Sequence, residues 1–285
     1  MIENYHNEPR PVDVDKAWDK LYSRMQENHL ITHSISARKF LSSPTFLWFA
    51  AAVLALALTT IAIRFLIPER QKMPLLSMRN YDRDNTLVKT LEDGSTVYLG
   101  TSSFLFYPER FAADSRKVEM QGNALFDIAR NPQKPFRIET GKVTVEVLGT
   151  AFNIQSDGKK TFLLNVLRGK VKLTQKTSGE SIIVLAGEEA KMMDSHWVKS
   201  RSDNRDLLLS FVKNMRFKDE PLDKIVNVIN QYSIRKIALK TEAIKSRKLN
   251  VRFYNNDVDG ITKVISMALH LKREVTPDSI FISQP

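Results

Sequence analysis

The residue types best suited to chemistry are scattered in this sequence. Five histidines, His6, His29, His33, His196 and His270, are spread along the chain, and none belongs to an H-E-x-x-H zinc helix. There is no cysteine, which removes disulfides, thiolate nucleophiles, iron–sulfur clusters and Cys-type zinc sites together. The nucleophile elbow G-x-S-x-G, the phosphate loop G-x-x-x-x-G-K-[ST] and the dinucleotide fingerprint G-x-G-x-x-G are absent. The carboxylate pairs Glu188-Glu189 and Asp219-Glu220 fall at turn-like positions and read as solvated surface. The expectation is a binding or signalling protein with no catalytic residues, no metal, no cofactor and no small-molecule substrate.

The elements that would position such a protein begin with an apolar run. Phe40 to Ile63 carries no charge, and its core, Thr45 to Ile63, makes about 28 Å of helix at 1.5 Å per residue. Trp48 and Phe49 near one end and Arg64 at the other suit the two interfaces of a bilayer. The run lies too far into the chain for a cleaved signal peptide. The reading is a single-pass, membrane-embedded protein: a tail over 1–44, a transmembrane helix over 45–67 and a large C-terminal part. Flanking charges do not favour a cytoplasmic N-terminus. Arg38 and Lys39 lie before the run, against Arg64, Arg70, Lys72 and Arg79 after it.

Within the tail, Val14, Trp18, Leu21, Tyr22 and Met25 recur at helical spacing after Pro11, with Asp13 or Asp15 as cap. An isolated helix of this length is marginal in water, so its apolar stripe needs a membrane surface or a partner. Residues 68–85 read as a polar juxtamembrane linker. From 86 to 198 the period becomes two: Val97 with Leu99, Phe136 with Ile138, Val143-x-Val145-x-Val147, Phe162-x-Leu164-x-Val166, and Val171 with Leu173. Asp93-Gly94, Asp157-Gly158 and Ser178-Gly179 punctuate it as turns, so an all-β unit is expected. Residues 199–210 read as a hinge. Over 211–285 the order is β-α-β-β-α-β-β, with helix faces at Leu222, Ile225, Val226 and Ile229 and at Val258, Ile261, Val264, Ile265 and Leu269. A small α+β sandwich with two helices on one sheet is expected. Phe217, Pro221 and Leu222 read as either core or interface.

The formal charge is +11, from 43 basic and 32 acidic residues, and the tail contributes none of it. No basic helix interleaved with aromatics and no finger-like motif accompanies the excess, so nucleic acid is not an expected partner.

The β unit resembles a FecR domain. The resemblance rests on L-E-D-G-S-T-V-Y-L-G-T-S-S-F-L-F-Y (Leu91–Tyr107), R-K-V-E-M-Q-G-N-A-L-F-D-I-A (Arg116–Ala129), P-F-R-I-E-T (Pro135–Thr140), V-T-V-E-V-L-G-T-A-F-N-I (Val143–Ile154) and L-R-G-K-V-K-L (Leu167–Leu173). The last unit resembles the small domain that closes FecR-like chains of Bacteroidota, itself similar to the short N-terminal signalling domain of secretins and TonB-dependent transporters. Phe217–Val226, Val251–Ile261 and Ile280–Ser283 carry that match. In relatives, the stretch that Ala17–Leu21 resembles follows a helical bundle that holds the sigma factor.

The resemblance implies an anti-sigma regulator in the inner membrane, N-terminus in the cytoplasm and C-terminal domains in the periplasm. The signalling domain of a TonB-dependent outer-membrane transporter would touch the chain somewhere within 205–285. An extracytoplasmic-function sigma factor would be held by Val14, Trp18, Leu21, Tyr22 and Met25. It also implies a single-turnover self-cleavage at Gly149-Thr150, in which the Thr hydroxyl attacks the preceding carbonyl in an N-to-O acyl shift. The alternative is a bitopic envelope scaffold that assembles with a transport or secretin-like complex without transcriptional control.

Overall fold

The computed structural model describes residues 14–28, 44–66, 74–159, 161–202, 206–254 and 257–285. The chain divides into two compact units, Met1–Gln71 and Lys72–Pro285. The first contains helices α1 (Val14–Glu27) and α2 (Pro44–Leu66). In α1, Asp15 in the first turn and Arg24 in the last each oppose the helix dipole favourably. In α2, the hydroxyls of Thr59 and Thr60 donate to the carbonyls of Leu56 and Ala57, satisfying polar groups within an apolar stretch.

The expected transmembrane helix over 45–67 is corrected here. Among the described residues no helix is long and apolar enough to cross a membrane. The observed class is mostly β, with a barrel-like sheet and a few helices.

The second unit begins with β1 (Leu75–Asn80), β2 (Thr86–Thr90), β3 (Thr96–Leu99), β4 (Ser103–Pro108), β5 (Arg116–Asp127), β6 (Phe136–Glu139) and β7 (Val143–Val147). It continues with β8 (Ala151–Ser156), β9 (Phe162–Arg168), β10 (Lys170–Gln175), β11 (Ser181–Leu185), β12 (Glu188–Met193) and β13 (His196–Arg201). Two layers share one strand. The first half of β5 pairs with β4 and β6, and the second half with β3 and β8. One layer therefore runs β1-β4-β5-β6-β7-β10-β11, and the other carries β3, β5, β8, β9, β12 and β13. The alternating residues named above close the space between them: Val97, Leu99, Phe136, Ile138, Val145, Leu164, Val171 and Leu173 are all buried.

Gly122 makes the shared strand possible. It sits where β5 passes from one layer to the other, at φ +105°, and a Cβ there would lie 2.2 Å from Ser103 Oγ. The Asp93-Gly94 turn is tied to the far layer by Arg116. That guanidinium is 1% exposed, donates to Asp93 Oδ2 (2.7 Å) and to the carbonyls of Lys134 and Ala129, and lies over the Phe136 ring.

The remaining elements are α3 (Leu207–Val212), β14 (Asn214–Pro221), α4 (Leu222–Tyr232), β15 (Lys236–Leu239), α5 (Glu242–Lys245), β16 (Lys248–Tyr254), α6 (Val258–Leu269), β17 (Lys272–Val275) and β18 (Ser279–Ser283). They do not form one sheet under two helices. β14 joins β2 in parallel, Met215 opposite Thr86 through Phe217 opposite Val88, and β16 extends it, so these two strands belong to the large sheet. β15, β18 and β17 form a separate three-stranded sheet. One core spans the junction: Val88, Tyr98 and Leu125 pack with Met215, Phe217, Leu222, Ile225, Ile229, Phe253 and Ile265. The stretch read as a linker, 68–85, contains β1. The stretch read as a hinge, 199–210, contains the end of β13 and the start of α3.

Candidate functional site

Three places carry the residues singled out from the sequence. The first is α1. Val14, Trp18, Leu21 and Tyr22 are exposed, Trp18 at 63%, and Met25 is half-buried. No residue of this helix is buried. A helical ridge about 20 Å long with an indole in its first half suits insertion into an apolar groove.

The second is Gly149-Thr150, at the crossing from β7 to β8. Gly149 has φ +156°, and a Cβ on it would meet Arg130 Cα at 2.6 Å. The two backbone bonds flanking the step run Asn131 N to Leu148 O (2.7 Å) and Ile128 N to Thr150 O (3.0 Å). Thr150 is 2% exposed, and its hydroxyl donates to the carbonyl of Lys170 at 3.0 Å. The hydroxyl that an acyl shift would use is thus already engaged across the β9–β10 turn.

The third is the junction within 72–285. Of the candidates there, Phe217 and Leu222 are buried in the shared core and Pro221 is half-buried. Asp219-Glu220 does not behave as a surface pair. A register shift between Phe217 and Glu220, with Asp219 at φ +51°, turns Glu220 inward. Its carboxylate is 1% exposed, accepts from Lys89 Nζ at 2.6 Å and accepts from the backbone N–H of Thr90 at 3.1 Å. It thereby takes over where the β2–β14 ladder ends. Asp219 stays at the surface, where the hydrogen bond from Lys248 lowers its pKa. Glu188 is a surface acid whose pKa is lowered by the Lys199 hydrogen bond. Elsewhere in the junction, the buried Tyr98 hydroxyl donates to Gln231 Oε1 at 3.1 Å, and desolvation raises its pKa well beyond the usual phenol range.

Sequence reasoning missed Lys89 and Glu220, because a one-residue bulge inverts which side of a strand faces inward. The apolar residues at 215, 217 and 222 on either side of the pair were the available signal. Among the described residues no group of three or more His, Asp or Glu side chains is placed to hold a metal ion.

The family model described as FecR protein matches residues 83–172, from the turn before β2 into β10. The chain carries a FecR domain. No curated protein matches the chain. Among solved structures, two crystal structures of a candidate anti-sigma factor from Parabacteroides distasonis, at 2.50 and 1.65 Å resolution, are similar. Each is 20% identical and covers 74% of this chain, with TM-scores of 0.46 and 0.45, and the match covers 100% and 99% of the respective chains. The FecR match includes Asp93, Arg116, Gly122, Gly149 and Thr150, while β1 and β11 to β18 lie outside it.

Proposed function

We propose that the chain is an anti-sigma regulator of the FecR type, in which α1 holds an extracytoplasmic-function sigma factor. The observation that carries this reading is the exposed stripe of Val14, Trp18, Leu21 and Tyr22 in a chain that also carries a FecR domain. An apolar helix face of this kind pays for its exposure only when a partner covers it. The finer part of the proposal is that the folded unit 72–285 receives its signal from the signalling domain of a TonB-dependent transporter. The continuous core from Val88 to Ile265 supports a unit that responds as one body.

Full-length chain and its Trp18→Ala variant are expressed with an affinity tag, and the sigma factors recovered with each are quantified. Capture of one sigma factor, weakened by roughly thirtyfold in the variant, is expected if the indole is an interface anchor worth about 2 kcal/mol. Failure to recover any sigma factor with the unmodified chain, or equal recovery with the variant, overturns the reading.

A further inference from the structure

The second unit leaves a gap in its barrel-like sheet. Among the described residues β1 pairs with β4 alone, so every second N–H and C=O along its other edge is not used by the sheet they form. Asn80 closes one end of the gap, donating from Nδ2 to the carbonyls of Asn85 and Leu99 at 2.8 and 2.9 Å. From there a groove of about 620 Å3 runs between β1 on one side and β2 with the β14 bulge on the other. Its apolar lining is Leu76, Met78, Leu87, Leu91 and Tyr107.

The charges around it do not cancel. Lys89 is paired with Glu220 and Lys248 with Asp219. What remains is Lys218, Lys224 and Arg79 against Glu92 and Glu109, an excess of one positive charge. Arg79 lies over the Phe104 ring and donates to the Tyr81 hydroxyl, and among the described residues no carboxylate pairs with it. The groove is therefore apolar within and basic at its rim, with a free strand edge along one wall.

We propose that this groove takes an extended segment of a partner protein as an added strand on β1. Alternate apolar side chains of the segment enter the space lined by Met78, Leu87 and Leu91, and carboxylates on it meet Lys218 and Lys224. Backbone pairing supplies affinity, and the two lysines select acidic segments. The two walls come from β1 and from the joint of β2 with β14, so an added strand would bear on the joint that unites the FecR domain with the C-terminal elements. This goes beyond the sigma-factor reading and does not depend on it.

The test uses full-length chain and fluorescein-labelled peptides of about ten residues, read by fluorescence anisotropy. One probe alternates valine with glutamate and threonine, and a second carries lysine for glutamate. Two more are the acidic peptide N-methylated at alternate amides, one in each register. The acidic peptide is expected to bind, and the basic one to bind roughly tenfold more weakly, as two rim charge pairs allow. Exchanging both lysines in the Lys218→Glu, Lys224→Glu variant should invert that preference. N-methylation in the register that donates to β1 should abolish binding, while the other register binds as the parent does. No binding by the acidic peptide, equal binding of both charge types, no change in the double variant, or indifference to N-methylation in both registers would each overturn the proposal.

Discussion

Glu220→Ala tests whether the FecR domain and the elements after it form one cooperative body. The carboxylate is 1% exposed and bonds both Lys89 Nζ and the Thr90 N–H. Removing one partner of a buried ion pair costs about 3–5 kcal/mol. Lys89 keeps 26% of its side-chain surface in water, which lets the orphaned ammonium recover solvation and brings the figure down to about 2–3 kcal/mol. About 1 kcal/mol of that is the unpaired Thr90 N–H. Glu220→Gln keeps an acceptor for that N–H and should cost about half as much. The assay is urea unfolding of full-length chain followed by far-UV circular dichroism and by the fluorescence of Trp197, in a Trp18→Phe, Trp48→Phe background. Trp197 packs edge-on against Phe162 and onto the core of the FecR strands, whereas the neighbours of Glu220 in sequence, Phe217 and Leu222, lie in the other core. With a slope of about 2–3 kcal/mol/M, both signals should share one midpoint, and Glu220→Ala should lower it by about 1 M. A Trp197 transition that stays in place while another signal moves would show two independent bodies and refute the shared-core argument. A total shift below about 0.5 kcal/mol would refute the burial argument.

Gly122→Ala forces a Cβ into Ser103 at a positive φ, and it should cost at least about 3 kcal/mol, lowering Tm by roughly 6–12 °C; a Tm within about 2 °C of the parent would contradict the bend in β5. Thr150→Ala loses the buried bond to the Lys170 carbonyl and should destabilise by about 1 kcal/mol in the same urea assay. Gel analysis of that pair also reports on self-cleavage: two fragments from the parent and a single intact chain from the variant is the pattern the acyl shift requires. For Glu139, burial raises the carboxyl pKa, but the Lys176 hydrogen bond and charge, with Thr144 and Lys117, outweigh it and the net shift is downward. A depressed folded pKa contributes stability that is present above the ordinary value of 4.5 and is lost as pH falls through the folded value. Glu139→Gln should therefore flatten the acid side of the stability profile below pH 4.5 and leave a constant offset at neutral pH; an unchanged acid limb would refute it.

Period-two burial was legible at once. Val143, Val145 and Val147 alternate in sequence and all three face the core, because a strand with one face in water must place its apolar residues on every second position. The turns at Gly94, Gly158 and Gly179 were equally plain, each glycine holding a positive φ that other residues adopt at a cost. The α4 face of Leu222, Ile225, Val226 and Ile229 is buried as its 3.6-residue spacing requires. The strands β15 and β18 also fall where their apolar runs lie, at Lys236–Leu239 and Ser279–Ser283.

Local pattern states which residues want to be inside, and long-range pairing states which elements meet there. Nothing around Met215 or Thr86 announces that β14 lies parallel to β2, since backbone pairing is blind to side-chain identity and the partners are 129 positions apart. The one-residue bulge at Asp219 that buries Glu220, the passage of β5 between layers at Gly122 and the engagement of Thr150 by Lys170 follow from that pairing. The strand hidden in residues 68–85 is of the same kind. Leu75, Leu76 and Met78 gave too short an apolar run to stand out, and β4 makes them a strand by offering its edge. The residues of this chain thus specify strands, turns and helix faces through their own periodicity. The joint between its parts, and the open edge beside it, arise from contacts that no local stretch encodes.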